Sequence, residues 1–163
     1  YDFKDLSLCG HSMGGLVALD MVVNHNLAVK QLILVNSIYP TRVADVLLAK
    51  AQAGNGDAAN FIINYGLYRR LLGMRNAFSE ADDLVMLDDL HACNNFEIDL
   101  NNIKNIESPI SIILGSKDKL VDLKAVEHFT DVVPSHTYTM DEVGHFSFFE
   151  DPAELSRLIS KIV

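Results

Sequence analysis

The chain has 163 residues, of which 49% are apolar and 21% charged, with a formal net charge of −9. A chain of this length buries roughly 70% of the surface its unfolded form would expose, enough for one domain. The acidic balance argues against a nucleic-acid partner and against docking on an anionic membrane surface, because both need a basic face.

Cys9 and Cys93 stand far apart and in no C-x-x-C spacing. They read as two free thiols in a reducing compartment, which points to a cytoplasmic location. No apolar run approaches the roughly 20 residues that a membrane-spanning helix needs.

In chain order, Leu6–Gly10 is a short apolar run ending in glycine and reads as a buried strand. From Met13 to about His25 apolar residues return every three to five positions, which predicts a helix. Gln31–Ser37 (QLILVNS) is a second buried strand, with Pro40 just beyond it. Between Pro40 and Pro109 nothing reads as a strand. Arg42–Ala53, Ala58–Leu72 and Ser79–Asn94 look helical, the last opening on a capping-box pattern, Ser79 to Asp82. Ser111–Gly115 is a third strand, and His136–Met140, which alternates, a fourth. Asp151-Pro152 offers an N-cap and a first-turn proline to a final amphipathic helix through Leu155, Leu158, Ile159 and Ile162. Strands alternating with helices predict an α/β fold, a parallel sheet covered on both faces. Three parts follow: core residues 1–40, a helical insert 41–106, and core residues 107–163.

One motif stands out. Gly10-His11-Ser12-Met13-Gly14 fits G-x-S-x-G at the junction of a predicted strand and a predicted helix. A strand that turns at once into a helix strains the apex residue and exposes its side chain. Gly10 and Gly14 are expected to let the two backbones approach without a Cβ clash. The helix N-terminus then offers the Met13 N–H to a developing oxyanion.

A serine hydroxyl needs a base to take its proton, and the base needs an acid to fix its tautomer. Of six histidines, His145 lies in a loop after the fourth predicted strand. His25, His91, His128 and His136 read as ordinary surface or core residues. His11 sits inside the turn and reads as a shaping residue. Asp118 follows the third strand directly, with Asp122 as the alternative acid. Ser12, Asp118 and His145 all fall after the C-terminal ends of strands, where chemistry gathers in open parallel sheets. No metal-ligand spacing is present, His91-Ala92-Cys93 being too sparse, and neither a metal nor an organic cofactor is expected.

Taken together, GHSMGG, LGSKDKLVD and DEVGHFSFFEDP resemble the α/β-hydrolase superfamily, in its branch of small serine esterases and carboxylesterases, C–C bond hydrolases and haloperoxidase-like proteins. The resemblance implies an α/β-hydrolase fold with Ser12 as nucleophile, His145 as base, Asp118 as its partner, and the Met13 amide as one oxyanion donor. It implies that the insert forms a cap over a largely apolar pocket, and that the substrate is a small-molecule ester cleaved through an acyl-enzyme. Serine at the apex separates the chain from relatives with an aspartate nucleophile. Such hydrolases usually place several strands and an H-G type oxyanion loop before the nucleophile. The chain shows neither, so it is expected to be the C-terminal part of a longer hydrolase. That leaves two competing expectations: a working serine hydrolase, acting on an ester or, as a near relative with the same triad, on a C–C bond or an amide, or an impaired or non-catalytic small-molecule binder of the same fold. The oligomeric state has no signature in the sequence.

Overall fold

The structure, a computed structural model, describes residues 5–69 and 82–163. Its elements run β1 (Ser7–His11), α1 (Met13–Val23), β2 (Gln31–Val35), α2 (Asp45–Ala53), α3 (Asp57–Gly66), α4 (Asp83–Asn94), α5 (Leu100–Lys104), β3 (Ile110–Gly115), α6 (Leu123–Val132), β4 (Ser135–Met140), α7 (Ser147–Glu150) and α8 (Pro152–Ile162). The four strands form one sheet in the order β1-β2-β3-β4, and every neighbouring pair is parallel.

A parallel sheet must bury both faces, and the pleat divides its residues between them. Leu32, Leu34, Ile110, Ile112 and Leu114 turn one way, packing with Leu19 of α1, Ile103 of α5 and Phe129 of α6. Ile33, Val35, Ile113 and Met140 turn the other way, against Leu155 and Leu158 of α8. Fully burying each of the larger side chains contributes roughly 1.5–3 kcal/mol. That burial makes Gln31–Val35 and Ile110–Gly115 almost unbroken apolar runs, while the half-exposed β4 alternates.

Strand and helix bounds lie close to the sequence expectations, and the differences have physical reasons. β2 stops at Val35, short of Ser37, because Asn36 takes a left-handed φ of 46°. α2 starts at Asp45, after an extended Ala44, and not at Arg42. α3 ends at Gly66, where Leu67 turns extended. The rest of the helix expected to Leu72, from residue 70, lies outside the described residues. So do Ser79, Glu80 and Ala81 of the expected capping box. Asp82 alone caps α4, accepting from the Leu84 N–H at 2.9 Å.

The strands' ladders run one bond past their ends. The Ser12 N–H donates to the Val35 carbonyl at 3.0 Å, the Asn36 N–H to Ile113 at 2.8 Å, and the Ser116 N–H to Met140 at 2.8 Å. The first residue after β1, β2 and β3 is thus still registered on its neighbour. Among the described residues, no helix is long and apolar enough to cross a membrane.

Candidate active site

The turn between β1 and α1 carries the conformation that the sequence predicts. Ser12 has φ 51° and ψ −124°, a region that costs a non-glycine residue about 1–3 kcal/mol. The steric demand on the glycines is distributed differently from expectation. A Cβ on Gly10 would lie 2.2 Å from the Gly14 carbonyl oxygen, and one on Gly15 would lie 2.2 Å from Ser37 Oγ. A Cβ on Gly14 would point into open space, with no atom within 4 Å, although that residue's carbonyl abuts Gly10. The close approach therefore falls on Gly10 and Gly15.

The three residues singled out from the sequence come together. Ser12 Oγ lies 2.9 Å from His145 Nε2, and His145 Nδ1 lies 2.9 Å from Asp118 Oδ2. A carboxylate only accepts, so Nδ1 carries the proton and Nε2 is left to accept from the serine hydroxyl. The side chains of His145 and Asp118 are only 7% and 3% exposed, so water competes little for these bonds. Asp118 Oδ1 accepts from the Leu120 and Val121 N–H groups at 2.8 and 3.2 Å, and its Oδ2 also accepts from Asn36 Nδ2 at 2.9 Å. Burial pushes the Asp118 carboxyl up. The hydrogen bond and charge of His145, with the Leu120 N–H and Asn36, outweigh it and hold the group below the usual carboxylate range. Asp122, the alternative acid, is occupied elsewhere, accepting from the Lys124 N–H at 2.9 Å as the N-cap of α6.

His11 shapes the loop that carries His145. Its Nε2 sits 2.8 Å from the His145 carbonyl oxygen, which only accepts, so Nε2–H donates. Its ring lies 4.9 Å from the His145 ring and meets Phe148 edge-on at 4.8 Å. Burial drives its pKa down to about 4, against the hydrogen bond to the His145 carbonyl, so the ring is neutral near pH 7.

Asn36 is the site residue that sequence reasoning missed. Its Nδ2 reaches both Asp118 Oδ2 and, at 3.2 Å, the Gly144 carbonyl. Both are acceptors, which fixes the orientation of the amide. Its Oδ1 is buried and has no hydrogen-bond partner among the described residues. The two donated bonds tie Asp118 to the loop that carries His145.

Ser12, Met13 and His145 line a cavity of about 460 Å³ together with Leu47 of α2, Phe61, Ile62 and Tyr65 of α3 and Leu90 of α4. Its lining is mostly apolar. Phe61 and Tyr65 stack at 4.3 Å. The Met13 N–H has no acceptor among the described residues. Cys93 also lines the cavity, and Cys9 and Cys93 are both free thiols. Arg69 lies 3.8 Å from Glu142 and does not line the cavity; Arg70 lies outside the described residues. Among the described residues, no group of three or more His, Cys, Asp or Glu side chains is gathered as metal ligands would be.

The strand–turn–helix serine and the parallel sheet define an α/β hydrolase. The chain belongs to the alpha/beta hydrolase family, which it matches over residues 2–158. It is similar in structure to a thermophilic esterase, at 25% identity over 96% of this chain and 65% of that one, with a TM-score of 0.85. It is similar also to an esterase from Exiguobacterium antarcticum, at 18% identity over 98% and 67% of the two chains and a TM-score of 0.84. A third similar structure is the enol-lactonase from Burkholderia xenovorans LB400, at 16% identity over 97% and 65% and a TM-score of 0.81. The chain thus spans 65% of the length of the thermophilic esterase. No curated protein sequence matches it.

Proposed function

We propose that the protein is a serine hydrolase that cleaves a small, largely apolar carboxylic ester, with Ser12 as nucleophile, His145 as base and Asp118 as the acid that orients it. The observation that carries this reading is the unbroken relay of two 2.9 Å contacts, Ser12 to His145 to Asp118, at the wall of an apolar cavity. The esterases and the lactonase of similar structure are in keeping with ester chemistry. The cavity of about 460 Å³ is of the size that takes a small ligand. Segment 41–106 acts in this reading as the cap, since α2, α3 and α4 line the cavity.

In this mechanism Ser12 Oγ attacks the ester carbonyl carbon as His145 Nε2 takes the hydroxyl proton. The carbonyl oxygen becomes an oxyanion and receives the Met13 N–H. One such donor is worth about 2.7–4 kcal/mol of transition-state stabilisation. Asp118 holds the Nδ1–H and stabilises the imidazolium. The oxyanion collapses, the C–O bond to the leaving group breaks, and His145 gives its proton to the departing alkoxide. Water then loses a proton to the same imidazole as it attacks the acyl carbon; the acyl–Oγ bond breaks, His145 returns the proton to Ser12 Oγ, and the carboxylic acid leaves.

A fluorophosphonate probe tests the proposal. The expected result is one adduct, at Ser12, abolished by His145→Ala in a protein that keeps its fold. A folded sample that forms no adduct would favour a non-catalytic member that only binds its ligand.

A further inference from the structure

Glu150 closes α7 and is 7% exposed. Its Oε1 accepts from the Gly144 N–H at 3.0 Å, and its Oε2 accepts from the Tyr68 and Arg69 N–H groups, each at 2.9 Å. Among the described residues no cation pairs with it. Burying a carboxylate without a counter-ion is expensive, and three charge-assisted bonds to backbone amides are what offset it. The ester mechanism makes no use of this group.

Its partners lie on two separate pieces of chain. Tyr68 and Arg69 follow α3, whose Phe61, Ile62 and Tyr65 line the cavity. Gly144 immediately precedes His145. The two pieces also touch directly: the His145 N–H donates to the Gly66 carbonyl at 2.6 Å. A Cβ on Gly144 would stand 2.2 Å from that same oxygen, so only glycine admits the approach. Gly144 and His145 consequently have all four backbone polar groups engaged. The Gly144 N–H goes to Glu150 and its carbonyl to Asn36; the His145 N–H goes to Gly66 and its carbonyl to His11.

We propose that Glu150 is a positioning residue for His145: its buried carboxylate fastens the histidine loop to the C-terminal end of α3, so that the imidazole meets Ser12 in line. Its catalytic consequence rests on the serine-hydrolase reading above. Misplacing a reacting group by an ångström costs about 100-fold, and the loss falls on the chemical step because Glu150 does not line the cavity.

The test is Glu150→Gln. The amide keeps the shape, but its NH2 cannot accept, so either Gly144 or the Tyr68–Arg69 pair loses its acceptor. In a folded variant, kcat for ester hydrolysis is expected to fall about 100-fold with KM unchanged. The low-field proton resonance of His145 Nδ1–H is expected to broaden into exchange with water. A folded variant that keeps both kcat and that resonance overturns the proposal. If the variant does not fold, amide hydrogen exchange in the unaltered protein decides. The Gly144, Tyr68 and Arg69 amides exchanging slowly and together supports the clamp, and fast exchange of any of them overturns it. If the unaltered protein neither hydrolyses esters nor labels at Ser12, the hydrolase reading fails, while the resonance and the exchange still answer for Glu150.

Discussion

The sheet and the helical segment 41–106 meet at the same cavity but are held by different means. In the sheet, Leu32, Leu34, Ile112 and Ile113 are at most 1% exposed, and the site residues grow directly from the strand ends through backbone bonds. In the helical segment, the shared cluster of α2, α3 and α4 has, among the described residues, only Leu47, Ala51 and Ala58 buried, and α4 has no buried residue. One region fixes where groups stand; the other supplies a surface of side chains. Among the described residues, the helical segment is hydrogen-bonded to the histidine loop only at its 66–69 stretch, through Gly66 and Glu150; its helices set the shape of what is bound.

This contrast is open to direct attack. The largest effect is expected from Asp118→Asn, which should cost about 10⁴-fold in kcat with KM little changed. Phe61→Ala, on the helical wall, should instead act mainly on KM. Steady-state kinetics on both variants decides, and a kcat loss of similar size at Phe61 would erase the division.

A second contrast is thermodynamic. Ile112→Ala, at a fully buried strand position, is expected to cost about 4 kcal/mol, within the usual range for such truncations. Leu90→Ala, on a helix with no buried residue, should cost about 1 kcal/mol or less. Denaturant unfolding curves measure both, and equal losses would show that the helical segment is packed as tightly as the sheet.

The smallest effect concerns His11. Its folded pKa of about 4 lies below its ordinary 6.5. A depressed pKa means that the unfolded chain takes up the proton first as pH falls. The stability His11 contributes is therefore complete above about pH 6.5 and is lost progressively down to about pH 4, by at most about 3 kcal/mol. His11→Gln should flatten this part of the stability–pH curve, and an unaltered slope would mean that the ring is not kept neutral by its surroundings.

Much of the sheet-borne region was legible in the sequence, for a physical reason. Strands buried on both faces must be short apolar runs, and Ser12, Asp118 and His145 each follow closely on a strand. Their meeting needed only the topology. What escaped depends on long-range partners. Asn36 reads as the tail of a strand in LVNS; its left-handed turn is invisible locally, although asparagine is among the few residues that adopt it readily. Glu150 reads as a residue before a helix cap, since its acceptor role is defined by amides at positions 68, 69 and 144. α5, Leu100–Lys104, is too short and too polar to show a period. The demand placed on Gly14 was misassigned because the motif marks spacing, not which face of the helix meets the strand.

The single bond by which each ladder outlasts its strand makes the sheet a measuring device. Side chains alternate sides at every residue, so deleting one residue from β2 would swing Asn36 to the side opposite Asp118 and leave the acid untethered. Adding residues at the turn between α2 and α3, around Asn55, changes no such count. The strands of this protein are therefore held in length to the residue, while the turn between α2 and α3 is free to grow with whatever the cavity must enclose.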